Sequence, residues 1–224
     1  MEDHKGWKRP FFTIWTGQAV SLFGSSLVQF ALIWWLTLQT GKATTLAIAG
    51  LVGLLPQVIL GPFVGALVDR WPRRWILFIT DTDIALFTLF LAALYFLNIV
   101  EVWHVYALLL LRALGGAFHQ PAMLASTSLM VPEEQLTRIA ALNQTLQSVM
   151  QMGSPVFGGL LVSYFPVQTV LMIDLATASF AVIPILFIDI PQPPKSAPKN
   201  HEKDTIGKSL WRETVEGFRY LWSW

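Results

Sequence analysis

The stretch Gly61-Pro62-Phe63-Val64-Gly65-Ala66-Leu67-Val68-Asp69-Arg70-Trp71-Pro72-Arg73-Arg74 decides the fold. A long apolar run precedes it, and another begins at Trp75. Between them lie four charged side chains and one proline within six residues, Asp69 to Arg74. An ionised side chain at the centre of a bilayer costs roughly 2.5–3.5 kcal/mol on insertion scales. The turn therefore sits at a membrane surface, with an apolar helix entering the membrane on either side. Three arginines in so short a loop place that surface on the cytoplasmic side.

Composition agrees. The 224 residues are 54% hydrophobic and only 13% charged, against about 25% charged in soluble domains. A net charge of +1 gives no basic footprint for nucleic acid. The chain has no cysteine, so it has no disulfide framework and no cysteine-based metal site. A membrane span needs about 20 mostly apolar residues. Six windows qualify, at 12–38, 45–68, 75–97, 103–126, 139–163 and 168–189. The apolar run from Phe11 to Leu38 is too long and too rich in tryptophan for a cleaved signal peptide, so it reads as a retained first helix.

Six spans return the chain to the side on which it started. With the Asp69–Arg74 turn inside, thirteen basic residues fall on the cytoplasmic side and Lys42 alone outside, leaving Arg112 within the membrane. Both termini are expected in the cytoplasm, in an inner (plasma) membrane. Residues 1–190 form the expected six-span bundle. Pro191-Gln192-Pro193-Pro194-Lys195 then breaks the sixth helix and opens a linker, 191–224. Within it Asp204–Trp224 patterns as an amphipathic helix suited to lie at the interface.

The turn has a further pattern: Gly65, three residues, Asp69-Arg70, two residues, then Arg73-Arg74. It resembles the signature loop between the second and third helices of the major facilitator superfamily, with Pro72 where that family usually has glycine. The resemblance implies an all-α, integral membrane six-helix bundle, the N-terminal half of a major facilitator fold. It also implies that Gly65, Asp69, Arg70, Arg73 and Arg74 form a gating loop. A second six-helix half, or a homodimer partner in its place, would complete the transport path.

Inside the fourth span, Arg112 lies near mid-membrane, followed by Gly115, Gly116 and His119. His119 is two turns on, close to the same helix face. Two readings are open for Arg112: a snorkelling or structurally paired arginine, or a charge facing a water-filled cavity. For His119 they are a hydrogen-bonded spacer or a proton relay. Arg112 with glycine four residues later resembles the superfamily's fourth-helix motif, whose arginine is implicated in proton coupling in its drug–proton antiporters. Asp174, two turns into the sixth span, is either protonated or a partner for Arg112 across the bundle, and such a pair lowers the cost of burying both charges.

The fifth span places Gln144, Gln147, Gln151, Ser154 and Gly158 on one stripe, which must meet protein or water rather than lipid. Ser154-Pro155-Val156-Phe157-Gly158-Gly159 resembles the fifth-helix antiporter motif, with Ser154 replacing its first glycine. That motif marks exporters. Gln18, Ser21, Ser25 and Gln29 repeat at helical spacing along the first span, as packing glue or as cavity lining. The resemblance favours lining, and with Gly116, Gln147 and Gln151 they are the candidate cavity and substrate residues. In the second span Gly53, Gln57, Gly61 and Gly65 step by four, which reads as a small-residue packing face. Asp81 and Asp83 lie two turns from the cytoplasmic surface, where a pair with the loop arginines and snorkelling are both open.

No P-loop, no His-Glu-x-x-His and no clustered histidines occur, so an enzyme and a metal site are not expected. The sequence looks most like bacterial macrolide-efflux-type exporters, with Val131-Pro132-Glu133-Glu134-Gln135-Leu136 contributing. That resemblance implies proton-coupled efflux of amphipathic small molecules through the lipid membrane, without a cofactor. The alternative is a non-transporting six-span scaffold or assembly subunit.

Overall fold

The computed structural model describes residues 6–192. They form six helices: α1 Lys8–Thr40, α2 Ala43–Arg70, α3 Arg73–Phe96, α4 Val102–Met130, α5 Glu133–Tyr164 and α6 Val167–Phe187. Five are long and apolar enough to cross a membrane. The other, α5, has 32 residues but is less apolar, with Glu133 and Glu134 in its first turn and glutamines along one stripe. Pro191 and Gln192 are the only described residues of the expected linker; the expected amphipathic helix lies outside the described residues.

The helices outrun the expected spans at most ends. At 1.5 Å per residue, the 33 residues of α1 reach about 50 Å, well beyond a hydrocarbon core of about 30 Å. The surplus turns are charged or amphipathic and are stable in the interfacial region. The fifth helix begins at Glu133 rather than near 139, with Pro132 at its N-cap and both glutamates beside the positive end of the helix dipole.

Three of the turns share one chemistry. Trp71-Pro72, Val131-Pro132 and Phe165-Pro166 each place an extended residue after one helix and a proline before the next. Proline drives its predecessor out of helical geometry and then starts the next helix without a missing hydrogen bond. Pro72, in the signature loop, does this between α2 and α3. The turn after α1 ends instead on Gly41 in the left-handed region, φ 61°, where a side chain would be strained.

α1 packs most extensively on α6, α2 on α4, α3 on α4 and α6, and α5 chiefly on α1. The contact of α1 with α6 depends on two glycines. A Cβ at Gly17 would stand 2.1 Å from the Phe180 carbonyl oxygen, and one at Gly24 the same distance from Thr177 Oγ1. The Gly61 and Gly65 end of the α2 stripe does not pack among the described residues. A Cβ on Gly61 or Gly65 would meet nothing within 4 Å, and Leu54, Val58 and Ile59 nearby are exposed. At Gly61 and Gly65 the expected small-residue packing face is thus corrected among the described residues: Val64, Val68 and Ala49 of α2 are buried instead, these two glycines lie on a bare face, and Gly53 faces Gln29.

The core is divided. One apolar cluster joins Leu27–Leu36 of α1 to Leu91 and Tyr95 of α3, Val105–Leu109 of α4 and Leu171 of α6. A second joins Phe11 and Ile14 of α1 to Val64 and Val68 of α2, Leu77 of α3, Ala122 and Met130 of α4 and Ile185 of α6. Between them, on the same helices, lies a layer of buried polar side chains: Gln18, Ser21, Asp81, Thr88, Arg112, His119 and Asp174.

Candidate functional site

The polar layer opens into a cavity of about 440 Å³ lined by α1 to α6. α1 contributes Gln18, Ser21, Ser25, Ser26 and Gln29; α4 contributes Arg112, Gly116, His119 and Gln120; α5 contributes Gln147 and Gln151; α6 contributes Asp174. All seven residues expected to line a cavity are among these. The glutamines of α5 reach it because Ser154 and Gly158, further along their stripe, seat that helix on α1. Ser154 Oγ lies 2.5 Å from Ser26 Oγ, and a Cβ on Gly158 would stand 2.8 Å from Phe30 Cδ1. Gln144 is exposed and does not line the cavity, and Pro155 and Gly159 are not at its wall.

At its centre Arg112 and Asp174 form a buried ion pair. Arg112 Nη1 donates to Asp174 Oδ2 at 2.7 Å and to Thr88 Oγ1 at 2.8 Å, while Nη2 donates to the Ser25 carbonyl at 3.3 Å. Ser25 Oγ donates to Asp174 Oδ1 at 3.0 Å, and Thr88 Oγ1 lies 3.4 Å from Oδ2. One guanidinium thus ties α1, α3 and α6 to α4, using the several donors in fixed directions that distinguish arginine from lysine. The partner expected for Arg112 is the one it has, and the arginine is not snorkelling: both side chains are less than a tenth exposed.

A second cluster lies toward the apolar core that holds Phe11 and Ile14. Gln18 Nε2 donates to Asp81 Oδ2 at 2.7 Å, His119 Nε2 is 2.9 Å from Gln18 Oε1, and His119 Nε2 is 3.3 Å from Asp81 Oδ1. This corrects the expectation for Asp81, which meets neither the loop arginines nor the interface but turns inward. Asp83, two residues on, points to the opposite side and lies in an apolar groove with Trp71, Trp75 and Phe118. The 100° step between helix neighbours separates them.

The loop residues divide as well. Arg73 is buried; it meets Asp69 at 3.5 Å and donates to the Ala125 carbonyl at 3.3 Å, fastening α3 to α4. Arg74 donates to the Ile185 and Leu186 carbonyls at 2.8 and 2.6 Å and pairs with Asp189, satisfying the end of α6. Asp69 is three-quarters exposed, and Arg70 and Gly65 are exposed.

Several site members carried no signal of their own. Thr88 lies seven residues after Asp81, two turns away on one face, but threonines occur often in apolar helices. Gln57 reads as part of a glycine stripe yet lines the cavity. Among the described residues no group of histidines and carboxylates has the geometry of a metal site.

Comparison with known proteins agrees with this architecture. The sequence profile of the Major Facilitator Superfamily matches residues 14–223. Macrolide efflux protein A of Streptococcus pyogenes is 42% identical over 221 residues, 99% of this chain and 53% of the relative. Macrolide efflux protein A of Enterococcus faecalis is 40% identical over 181 residues, 81% of this chain and 54% of the relative. The multidrug efflux pump Tap of Mycolicibacterium fortuitum is 26% identical over 206 residues, 89% of this chain and 48% of the relative. The chain spans about half the length of the curated relatives it matches. It is a multi-pass membrane protein, and it belongs to the major facilitator superfamily.

Proposed function

We propose that this chain is the N-terminal half of a proton-coupled exporter of amphipathic small molecules, macrolides among them. The observation that carries the reading is the polar layer held between two apolar cores. A scaffold has no use for an ion pair buried at mid-membrane beside a cavity; a transporter needs both charge and space there. In this reading Gln18, Ser21, Ser25, Gln29, Gly116, Gln147 and Gln151 face the substrate. Arg112, Asp174 and His119 serve proton coupling, and Ser154, Pro155, Gly158 and Gly159 set the approach of α5 to α1. The fuller assembly has a second six-helix half, or a partner copy, over the open side of the cavity. It sits in the inner membrane with both termini cytoplasmic and uses no bound cofactor or enzymatic step.

The test is transport by the intact transporter in everted vesicles. Radiolabelled erythromycin is expected to accumulate when a proton gradient is imposed and to be lost when a protonophore collapses it. Accumulation indifferent to the gradient would remove the coupling, and none at all would remove macrolides from the reading. Orientation has its own measurement. A cysteine at Arg73 is expected to react with an impermeant maleimide only from the cytoplasm, and one at Lys42 only from outside.

The loop is proposed to gate the cytoplasmic end. Asp69 is exposed and holds Arg73 only at 3.5 Å, so its charge is available to an opposing surface. Asp69→Asn keeps size and removes charge. It is expected to slow efflux severalfold while leaving the amount of inserted protein unchanged, as read by transport rate per molecule. Wild-type turnover at equal expression would exclude the gate.

A further inference from the structure

The two buried carboxylates of the polar layer have partners of different kinds. Asp174 is held on one oxygen by Arg112 and on the other by Ser25. A guanidinium stays charged throughout the working pH range. Among the described residues Asp81 meets no permanent cation. Its oxygens meet the amide of Gln18 at 2.7 Å and the ring of His119 at 3.3 Å. Histidine is the side chain whose ordinary titration falls between about pH 5 and 8.

The hydrogen-bond directions decide where on that ring a proton can move. The Gln18 amide nitrogen is spent on Asp81, so its oxygen is the atom that faces His119 Nε2, at 2.9 Å. The other neighbour of Nε2 is a carboxylate oxygen. Both are acceptors. A lone pair on Nε2 would face two oxygens, so Nε2 carries hydrogen in either charge state of the ring. Nδ1 is the remaining ring position.

Within the proton-coupled reading, we propose that His119 is the group that loads and releases the transported proton, at Nδ1. Asp81 is its counter-charge, Gln18 is the positioning residue that holds its tautomer, and Arg112–Asp174 serves the coupling as a fixed ion pair that does not itself titrate. Uptake forms one N–H bond at Nδ1 and converts a neutral ring beside a carboxylate into an imidazolium–carboxylate pair. Release breaks that bond and returns the proton to cavity water. The charged groups lining the same cavity are Asp81 of α3, Arg112 of α4 and Asp174 of α6; α1, α2 and α5 present only neutral side chains there. Arg112–Asp174 is self-compensating, so the charge of the cavity changes only with the ring of His119.

The experiment is nitrogen-15 NMR of histidine-labelled intact transporter in lipid, with the His119 signal assigned by His119→Gln. The neutral ring is expected to be protonated at Nε2, and Nδ1 to gain its proton as pH falls across the range over which the transporter works. In Asp81→Asn the midpoint is expected to move by about tenfold or more in proton concentration. In Asp174→Asn the Nε2 tautomer is expected to persist. A neutral ring protonated at Nδ1, no titration in that range, or a midpoint unmoved by Asp81→Asn would each overturn the proposal. The wild-type tautomer does not depend on Asp81→Asn, so poor folding of that variant leaves the test intact. No transported substrate takes part in this readout. A transporter that fails to move erythromycin but shows the His119 titration would overturn the macrolide reading alone. Undiminished gradient-driven efflux in Asp81→Asn would overturn the proton site alone.

Discussion

Arg112→Ala is expected to abolish proton-driven efflux and to reduce the yield of inserted protein. The side chain it removes reaches Asp174, Thr88 and Ser25, so four helices lose a common tie. What remains is a buried carboxylate without its counter-charge, a loss of about 3–5 kcal/mol when one partner of such a pair is deleted. Arg112→Lys restores the charge but not the fork that serves three acceptors, and is expected to recover little transport. Removing both charges together, Arg112→Ala with Asp174→Asn, is expected to insert better than either single change, because no uncompensated charge is buried. The measurements are inserted yield, efflux and substrate binding on the same preparations. Turnover is expected to fall further than binding. Equal loss of both would move Arg112 into the substrate site, and normal efflux in Arg112→Ala would make the arginine purely structural.

Gly17→Ala is expected to be the most damaging small substitution in the bundle. Its Cβ would lie 2.1 Å from the Phe180 carbonyl oxygen and 3.0 Å from the carbonyl carbon. Both are backbone atoms of α6 and cannot rotate away, so α1 and α6 must separate along their whole contact. Overpacking of this kind costs about 1–3 kcal/mol even in cores that adjust locally. The separation would also stretch Ser25–Asp174, which bridges the same two helices. Gly24→Ala meets the Thr177 side chain first, at Oγ1. Rotating Thr177 relieves that contact at the loss of its bond to the Asp174 carbonyl, so a smaller effect is expected. Thermal denaturation of the purified transporter in detergent ranks the two. An equal or larger drop for Gly24→Ala would show that α6 yields at Phe180.

Much of this was legible one residue at a time. Five of the six helices follow from spans of apolar residues, since backbone hydrogen bonds cannot be left open in lipid, while α5 is less apolar and showed itself by its polar stripe. The turn at Asp69–Arg74 marks a surface because ions are expelled from hydrocarbon. Arg112 stood out because a mid-membrane guanidinium is too costly to be incidental, and Asp174 was a natural partner for it. The glutamines and serines of α1 and α5 stood out by helical spacing in an apolar background, and the family resemblance, not the spacing, favoured lining.

Partner choice between charges was less legible. Arg74 stands seven residues before Asp81 on one helix face, and spacing made that pair as reasonable as any. Folding sends Arg74 to the carbonyl end of α6 and Asp81 to Gln18 and His119, because a side chain bonds across helices to whatever packing brings within about 3 Å. The same holds for the glycines. Gly53, Gln57, Gly61 and Gly65 step by four and look like a packing seam, yet α1 meets α6 most closely at Gly17 and Gly24. A glycine permits contact but does not say which helix will come.

Local chemistry determines which segments cross the membrane, where they turn and which residues are too polar to face lipid, because each of these is a transfer cost borne by a residue on its own. The order of polar contacts, the division of the apolar core into two clusters and the placing of Arg112–Asp174 and His119–Asp81 in the layer between them are properties of six helices together. They depend on helix rotation and separation, which are set by the summed packing of many side chains and written in no single stretch of the chain.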